Sequence, residues 1–210
     1  RVFLRGAAGP SFCRLRLPSA RFCGILYRIL WRSVAAGPKR EVFMRVLGID
    51  PGYAIVGWGV VRYERGRFTP LTFGAITTPA GMDFSRRLEV IYDEMAVLLA
   101  QHKPDALAVE KLYFKNNQKT AIDVAEARGV ILLAAHKSGT PLYEYTPLQV
   151  KSAVTGYGKA EKPQVMEMTR RLLRLAEVPR PDDTADALAI AICHGQSGGT
   201  ALKRSLAGRV

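Results

Sequence analysis

The sequence predicts an α/β layer fold built on a mixed five-stranded sheet, and three observations carry that expectation. Residues 45–78 hold three β-rich runs separated by turn residues, the pattern of an antiparallel meander. From residue 83 onward, helical and strand periodicities alternate. Two further strands reached through helices complete a mixed sheet, with helices to cover it.

The elements follow in order. "RVLGID" (45–50) and "AIVGWGVVRYE" (54–64) are joined by the short turn "PGY" and read as a hairpin. "FTPLTFGAITT" (68–78) follows the turn-like "ERGR" as a third strand. Asp83 or Ser85 can cap the first helix, in which Leu88, Ile91, Tyr92, Met95, Leu98 and Leu99 recur at helical spacing up to His102. "DALAVE" (105–110) is a short buried strand that ends in a charge, and "KLYFKNNQKT" is a polar loop with two aromatics. A long helix is expected over 120–137, a fifth strand within "PLYEYTP", and helices over 147–154, 163–176 and 183–194.

Composition sets the limits. The chain has 210 residues, 48% of them hydrophobic, and a formal net charge of +13. One ordinary domain with a real core fits that length. The charge is uneven: residues 1–43 carry nine Arg or Lys against the single acid Glu41, and residues 44–210 carry 22 basic against 17 acidic side chains. The body is only moderately basic, so nucleic-acid binding has to be argued from particular residues. Residues 1–43 show no sustained period and are expected to be a disordered or non-native basic extension, ahead of a folded domain over 44–196 and a flexible tail over 197–210. The apolar stretch "FCGILY" is far shorter than the ~20 residues a membrane span requires, so no membrane anchor is expected. Three cysteines without paired spacing give neither a disulfide framework nor a zinc site, which points to a reducing cytoplasm.

The acids fall at informative places. Asp50 ends the first strand, Glu110 ends the fourth, and Asp183 and Asp186 open the last helix. Ligands in open α/β sheets collect beyond strand ends, and adjacent strands would bring Asp50 and Glu110 together. Positions 183 and 186 share a helix face, while Ala185, Leu188, Ala189 and Ile192 make the core stripe. Asp182 is four residues from Asp186 and shares that face equally, so geometry leaves Asp182 and Asp183 open as alternatives. Four carboxylates meeting at one edge cannot all stay ionised without a cation, and oxygen ligands without His or Cys suit magnesium or manganese.

Five ordered blocks, "GIDPG", "AVEKLYF", "ARGVILLAA", "GYGKAEKPQV" and "DDTADALAIA", together resemble the RuvC family of Holliday junction resolvases, which are RNase H-like nucleases. The likeness spans residues 44 to about 196. It implies an RNase H-like fold, a homodimer, and symmetric nicking of four-way junction DNA with two divalent ions, Mg²⁺ or Mn²⁺, per active site. By position it implies catalytic carboxylates at Asp50, Glu110, Asp183 and Asp186, the family's DxxD step selecting Asp183 over Asp182. It matches Tyr113 to an aromatic that meets bases at the junction centre, with Phe114 beside it. It matches Lys151 and Lys162 to basic residues near the scissile phosphates, and Lys159 sits where a glycine loop meets a helix start. The long helix 120–137, with Gly129 and an excess of apolar positions (Ile122, Ala125, Val130, Leu133), corresponds to the dimer interface. A branch-migration motor of the RuvA and RuvB type is the implied partner.

Two other readings share parts of this pattern. An actin-like ATPase or sugar kinase has a similar Asp-turn-Gly phosphate segment, but it needs a duplicated domain and a second Gly-rich loop, for which this chain is too short. A catalytically silent junction-binding protein would not require the four carboxylates that are present here.

Overall fold

The computed structural model of the chain describes residues 43–112 and 118–207. The chain divides into two units, Arg1–Glu41 and Val42–Val210, and the second carries every element described below. The expected basic extension thus falls outside the described residues, as do Tyr113 and Phe114 of the aromatic loop.

Strands β1 (Met44–Asp50), β2 (Ile55–Glu64) and β3 (Arg67–Thr77) form the antiparallel meander. β4 (Ala106–Glu110) and β5 (Leu142–Tyr145) add in parallel on the other side of β1, giving the order β3-β2-β1-β4-β5. This is the mixed sheet the sequence predicts. Helices α1 (Phe84–His102) and α2 (Gln118–Lys137) connect the later strands, and α3 (Pro147–Thr155), α4 (Lys162–Leu173) and α5 (Asp182–Ala207) follow.

Strand alternation sorts the core into two layers. Leu47 and Ile49 of β1 and Leu107 and Val109 of β4 bury against Ile91, Met95 and Leu99 of α1 and Ala127 and Ile131 of α2. Val46 and Ala108 point the other way, into a cluster with Leu188, Ala189 and Ile192 of α5 and Val150 and Val165 of α3 and α4. Side chains alternate faces with a period of two, so Asp50 and Glu110, even-numbered like Val46 and Ala108, belong to the α5 face.

Local chemistry explains the helix ends. Asp83 stands at the N-cap of α1, but its carboxylate accepts the Ser85 hydroxyl at 2.6 Å instead of a backbone N–H, so neither expected side chain caps the helix by a hydrogen bond. Thr146 and Gln149 form a reciprocal capping box at α3, with Pro147 in the first turn. α4 stops at Leu173, three residues before the expected end, because Arg174 turns into the left-handed region (φ 55°) and its N–H caps Arg170 and Arg171.

The last helix departs most from expectation. It runs to Ala207, through the segment 197–207 expected to belong to a flexible tail. Ala201, Leu202, Lys203, Arg204, Leu206 and Ala207 are strong helix formers, and elongating an existing helix costs far less than nucleating one. Its apolar surface is also wider than the expected stripe: Ala187, Ile190, Ala191 and Cys193 are buried along with Ala185, Leu188, Ala189 and Ile192. A helix that is apolar all round is buried all round, and α5 lies between the sheet and the pair α3 and α4. Among the described residues no helix is long and apolar enough to cross a membrane.

Candidate active site

Asp50 and Glu110 reach the same place by strand pairing. β1 and β4 run parallel with Ile49 opposite Val109, so the next residues, Asp50 and Glu110, end the two strands side by side on the α5 face. α5 supplies the other acids. Its first two turns approach the sheet because two strand positions lack a side chain: a Cβ at Gly57 would stand 2.0 Å from the Asp183 carbonyl oxygen, and one at Gly48 would stand 2.1 Å from that of Ala187. Thr184, fully buried, secures the contact by donating its hydroxyl to the Gly74 carbonyl at 3.1 Å. Asp183 and Asp186 on either side of it are left half-buried.

The electrostatics show that these groups feel one another. Burial, then Asp186, Glu110 and Asp183, hold the Asp50 carboxyl well above the usual carboxylate range, against a smaller opposing pull from Lys162. Burial and Asp186 raise Glu110, opposed by Lys151 and Lys162. Asp186 is raised by burial although Lys162 donates to it at 3.0 Å. Burial alone would lower the Lys162 ammonium; its hydrogen bond and charge pairing with Asp186, and the charges of Asp182 and Asp183, outweigh that and raise it. Asp183 and Asp182 part company here: Asp183 acts on Asp50, while Asp182 pairs with Arg180 at 2.5 Å and lies 3.8 Å from Lys162.

A cleft of about 230 Å³ opens at this edge, lined by Glu110, Lys151, Lys162 and Asp186 over a floor of Val150, Val165 and Ile190. Lys159 is exposed in the α3 to α4 turn and does not line the cleft. A larger cavity of about 670 Å³, bordered by Tyr92, Lys103, Pro104 and Lys137, lies where β4 begins, at the opposite end from the acids. Ligands of open α/β sheets gather at the carboxyl ends of the strands, which favours the smaller cleft.

Among the described residues no three metal-binding side chains stand close enough to cage an ion as they are placed. The donor set nevertheless fits a hard divalent cation. All the groups are carboxylate oxygens, and the raised proton affinities of Asp50, Glu110 and Asp186, caused first by burial and then by neighbouring acids, are the burden that a bound cation relieves.

Sequence reasoning placed the four acids but missed what brings them together. Gly57 and Gly48 carried a readable signal, since glycine inside a strand marks a close backbone approach. Thr184 carried none beyond its position between two acids. Arg128 of α2 was also missed. Its Nε donates to the Glu110 carbonyl at 3.4 Å, and its guanidinium pairs with Glu144.

Comparison with known proteins agrees with this architecture. The family model described as "Crossover junction endodeoxyribonuclease RuvC" matches residues 46–194. A protein of that name from Ruminiclostridium cellulolyticum is 55% identical over 154 residues, covering 73% of this chain and 93% of the relative. The Thermus thermophilus RuvC structure superposes with a TM-score of 0.71 at 37% identity, covering 75% of this chain and 97% of that one. T. thermophilus RuvC in complex with Holliday junction substrate gives a TM-score of 0.69 at 35% identity, covering 75% and 96%.

Proposed function

The chain belongs to the RuvC family of crossover junction endodeoxyribonucleases, and from that premise we propose how it resolves Holliday junctions: a metal-dependent homodimer nicks two strands symmetrically, in recombination and DNA repair. The observation that carries the reading is the convergence of Asp50, Glu110, Asp183 and Asp186 on one sheet edge, where burial and then neighbouring acids raise the proton affinity of Asp50, Glu110 and Asp186.

In this reading Asp50, Glu110, Asp183 and Asp186 would hold two divalent ions, Mg²⁺ or Mn²⁺. Bound there, the ions supply Lewis acidity to the attacking water and to the leaving 3′ oxygen of an in-line phosphodiester displacement. The rest of the work belongs to side chains of the protein. Glu110 and Asp186 fix the two sides of the cleft, and Asp183 completes the oxygen set or orients water. Lys162, the partner of Asp186 at 3.0 Å, can exchange that carboxylate for a DNA phosphate as the acids turn to metal. Lys151 and the exposed Lys159 neutralise neighbouring phosphates. Tyr113 and Phe114, three and four residues after Glu110 in sequence, stack on bases at the junction centre, a contact worth ~1–3 kcal/mol per base.

The second active site comes from a second copy. Along α2, Ala127, Ile131, Ala134 and Ala135 fill the core, while Ile122 (66% exposed) and Leu133 (51%) form an outer apolar stripe with Gly129, at which an added Cβ would meet nothing. Such a stripe supports an isologous helix contact that relates two clefts by a two-fold axis. The protein then acts in the cytoplasm beside a branch-migration motor of the RuvA and RuvB type.

A synthetic four-way junction incubated with magnesium and resolved on a denaturing gel tests the reading. Paired nicks at symmetric positions are expected. Junction that is bound but stays intact at every metal concentration would overturn it.

A further inference from the structure

Glu110 sits at the last position of β4, where the parallel ladder with β5 ends. Two contacts on opposite faces of the sheet hold it. On the α2 face, Arg128 donates from Nε to the Glu110 carbonyl at 3.4 Å and pairs through its other arm with Glu144 of β5. Glu144 is the register partner of Val109, so one guanidinium spans both parallel strands at the residue where the ladder ends. On the α5 face, Tyr145 is the register partner of Glu110, and its carbonyl accepts the Lys111 N–H at 2.8 Å. The Tyr145 hydroxyl lies 2.7 Å from Nδ1 of His194 on α5, the helix that carries Asp183 and Asp186. The Glu110 backbone is thus tied to α2 on one face, and its neighbouring strand is tied to α5 on the other.

We propose that Arg128 is a positioning residue for the metal site: through the Glu110 carbonyl and the Glu144 carboxylate it fixes the end of β4, so that the Glu110 side chain meets Asp50 and Asp186 in the geometry a divalent ion requires. The inference rests on the proposed role of Glu110. The chemistry favours arginine. Its planar fork offers several donors at fixed angles and bridges two acceptors, whereas a lysine ammonium on a flexible stem holds one acceptor at a time. Residues that orient a metal ligand without touching the metal typically contribute about 10- to 100-fold to metal affinity or activity. Because Arg128 belongs to α2, the helix with the exposed apolar stripe, it also gives that face a direct mechanical connection to Glu110.

The test compares wild type with Arg128→Ala, Arg128→Lys and Glu144→Gln. The readouts are the magnesium dependence of junction cleavage, the shift in Tm on adding magnesium without DNA, and junction affinity in metal-free buffer. For Arg128→Ala the expected result is a magnesium midpoint raised about tenfold and a smaller magnesium-induced Tm shift, with metal-free junction affinity and dimer mass unchanged. Glu144→Gln should move both magnesium readouts the same way by less. Arg128→Lys keeps a positive charge beside Glu144 and should remain impaired, since one ammonium does not replace the fork. Wild-type magnesium dependence in Arg128→Ala, or full recovery in Arg128→Lys, would overturn the proposal. So would a loss of metal-free junction affinity as large as the loss of cleavage, which would make Arg128 a DNA contact. Failure of the wild-type protein itself to cleave would instead count against the assignment of the metal site.

Discussion

Asp50 and Gly57 are register partners across the antiparallel β1 and β2 ladder, and the missing side chain at Gly57 lets the first turn of α5 close over Asp50. The Asp183 carbonyl oxygen occupies the space that a Cβ at Gly57 would need, 2.0 Å from where that atom would sit. The cluster of acids therefore depends on a hydrogen atom in β2 as much as on the carboxylates themselves.

Gly57→Ala should accordingly push the start of α5 away from the sheet. Overpacking of this kind costs about 1–3 kcal/mol, readable as a lower urea midpoint. Cleavage under conditions where the variant remains folded should fall further than the folded fraction does. A variant with wild-type stability and activity would show that the close approach is dispensable.

Asp50→Asn should abolish cleavage, by about a thousandfold or more if several kcal/mol of metal-assisted stabilisation is lost, and leave junction binding intact. The same change should raise Tm in EDTA. The proton affinity of Asp50 is raised in the fold, so its ionised form at neutral pH opposes folding, and an amide of the same shape removes that charge. Gel-shift, single-turnover cleavage and thermal melts on one preparation check all three outcomes.

Magnesium should stabilise the wild-type protein without DNA and leave Asp50→Asn unmoved. At ten times the dissociation constant the gain is about 1.4 kcal/mol. It should shrink as pH falls, because Asp50, Glu110 and Asp186 all have raised proton affinities and protons then compete with the ion. Calorimetric melts with and without magnesium at two pH values would show this.

His194 is 4% exposed, and burial lowers its proton affinity. The unfolded chain therefore binds the proton more readily than the folded one. This contribution to stability is fully present above the unfolded value of about 6.5 and is lost as pH drops through it towards the lower folded value. Urea unfolding between pH 7.5 and pH 5.5 should show stability falling, and His194→Gln should flatten that slope whatever it does to stability at pH 7.5.

Leu133→Asp should leave the monomer folded and dissociate the proposed dimer, since Leu133 is half-exposed and lies outside the core. Light scattering reads the mass and circular dichroism the fold. A Leu133→Asp protein that stays dimeric would move the interface away from α2.

Much of this was readable in advance. Among the described residues, period-two and helical patterns located the five strands and five helices to within a few residues at most ends, because burial on one face writes itself into local sequence. The exceptions have physical causes. Arg174 ends α4 through a positive φ that no composition rule demands of an arginine. The continuation of α5 to Ala207 follows from helix propensity on a helix already formed, which the glycines at 195, 198 and 199 obscured.

By itself, the sequence determined which acids stand at strand ends and at a helix start, and the order of its motifs determined the family. Tertiary structure alone decided the rest. It set Asp183 against Asp50 while Asp182 turned to Arg180, although the two lie on equally eligible helix positions. It placed Lys162 between Asp182 and Asp186, and it joined Arg128 to a carbonyl 18 residues away. The Lys162 and Arg128 contacts join distant parts of the chain, fixed by how closely the helices pack on the sheet and on one another, whereas the Asp182 pair with Arg180 is local. Local periodicity records which face of an element is buried, and it carries no record of what that face meets.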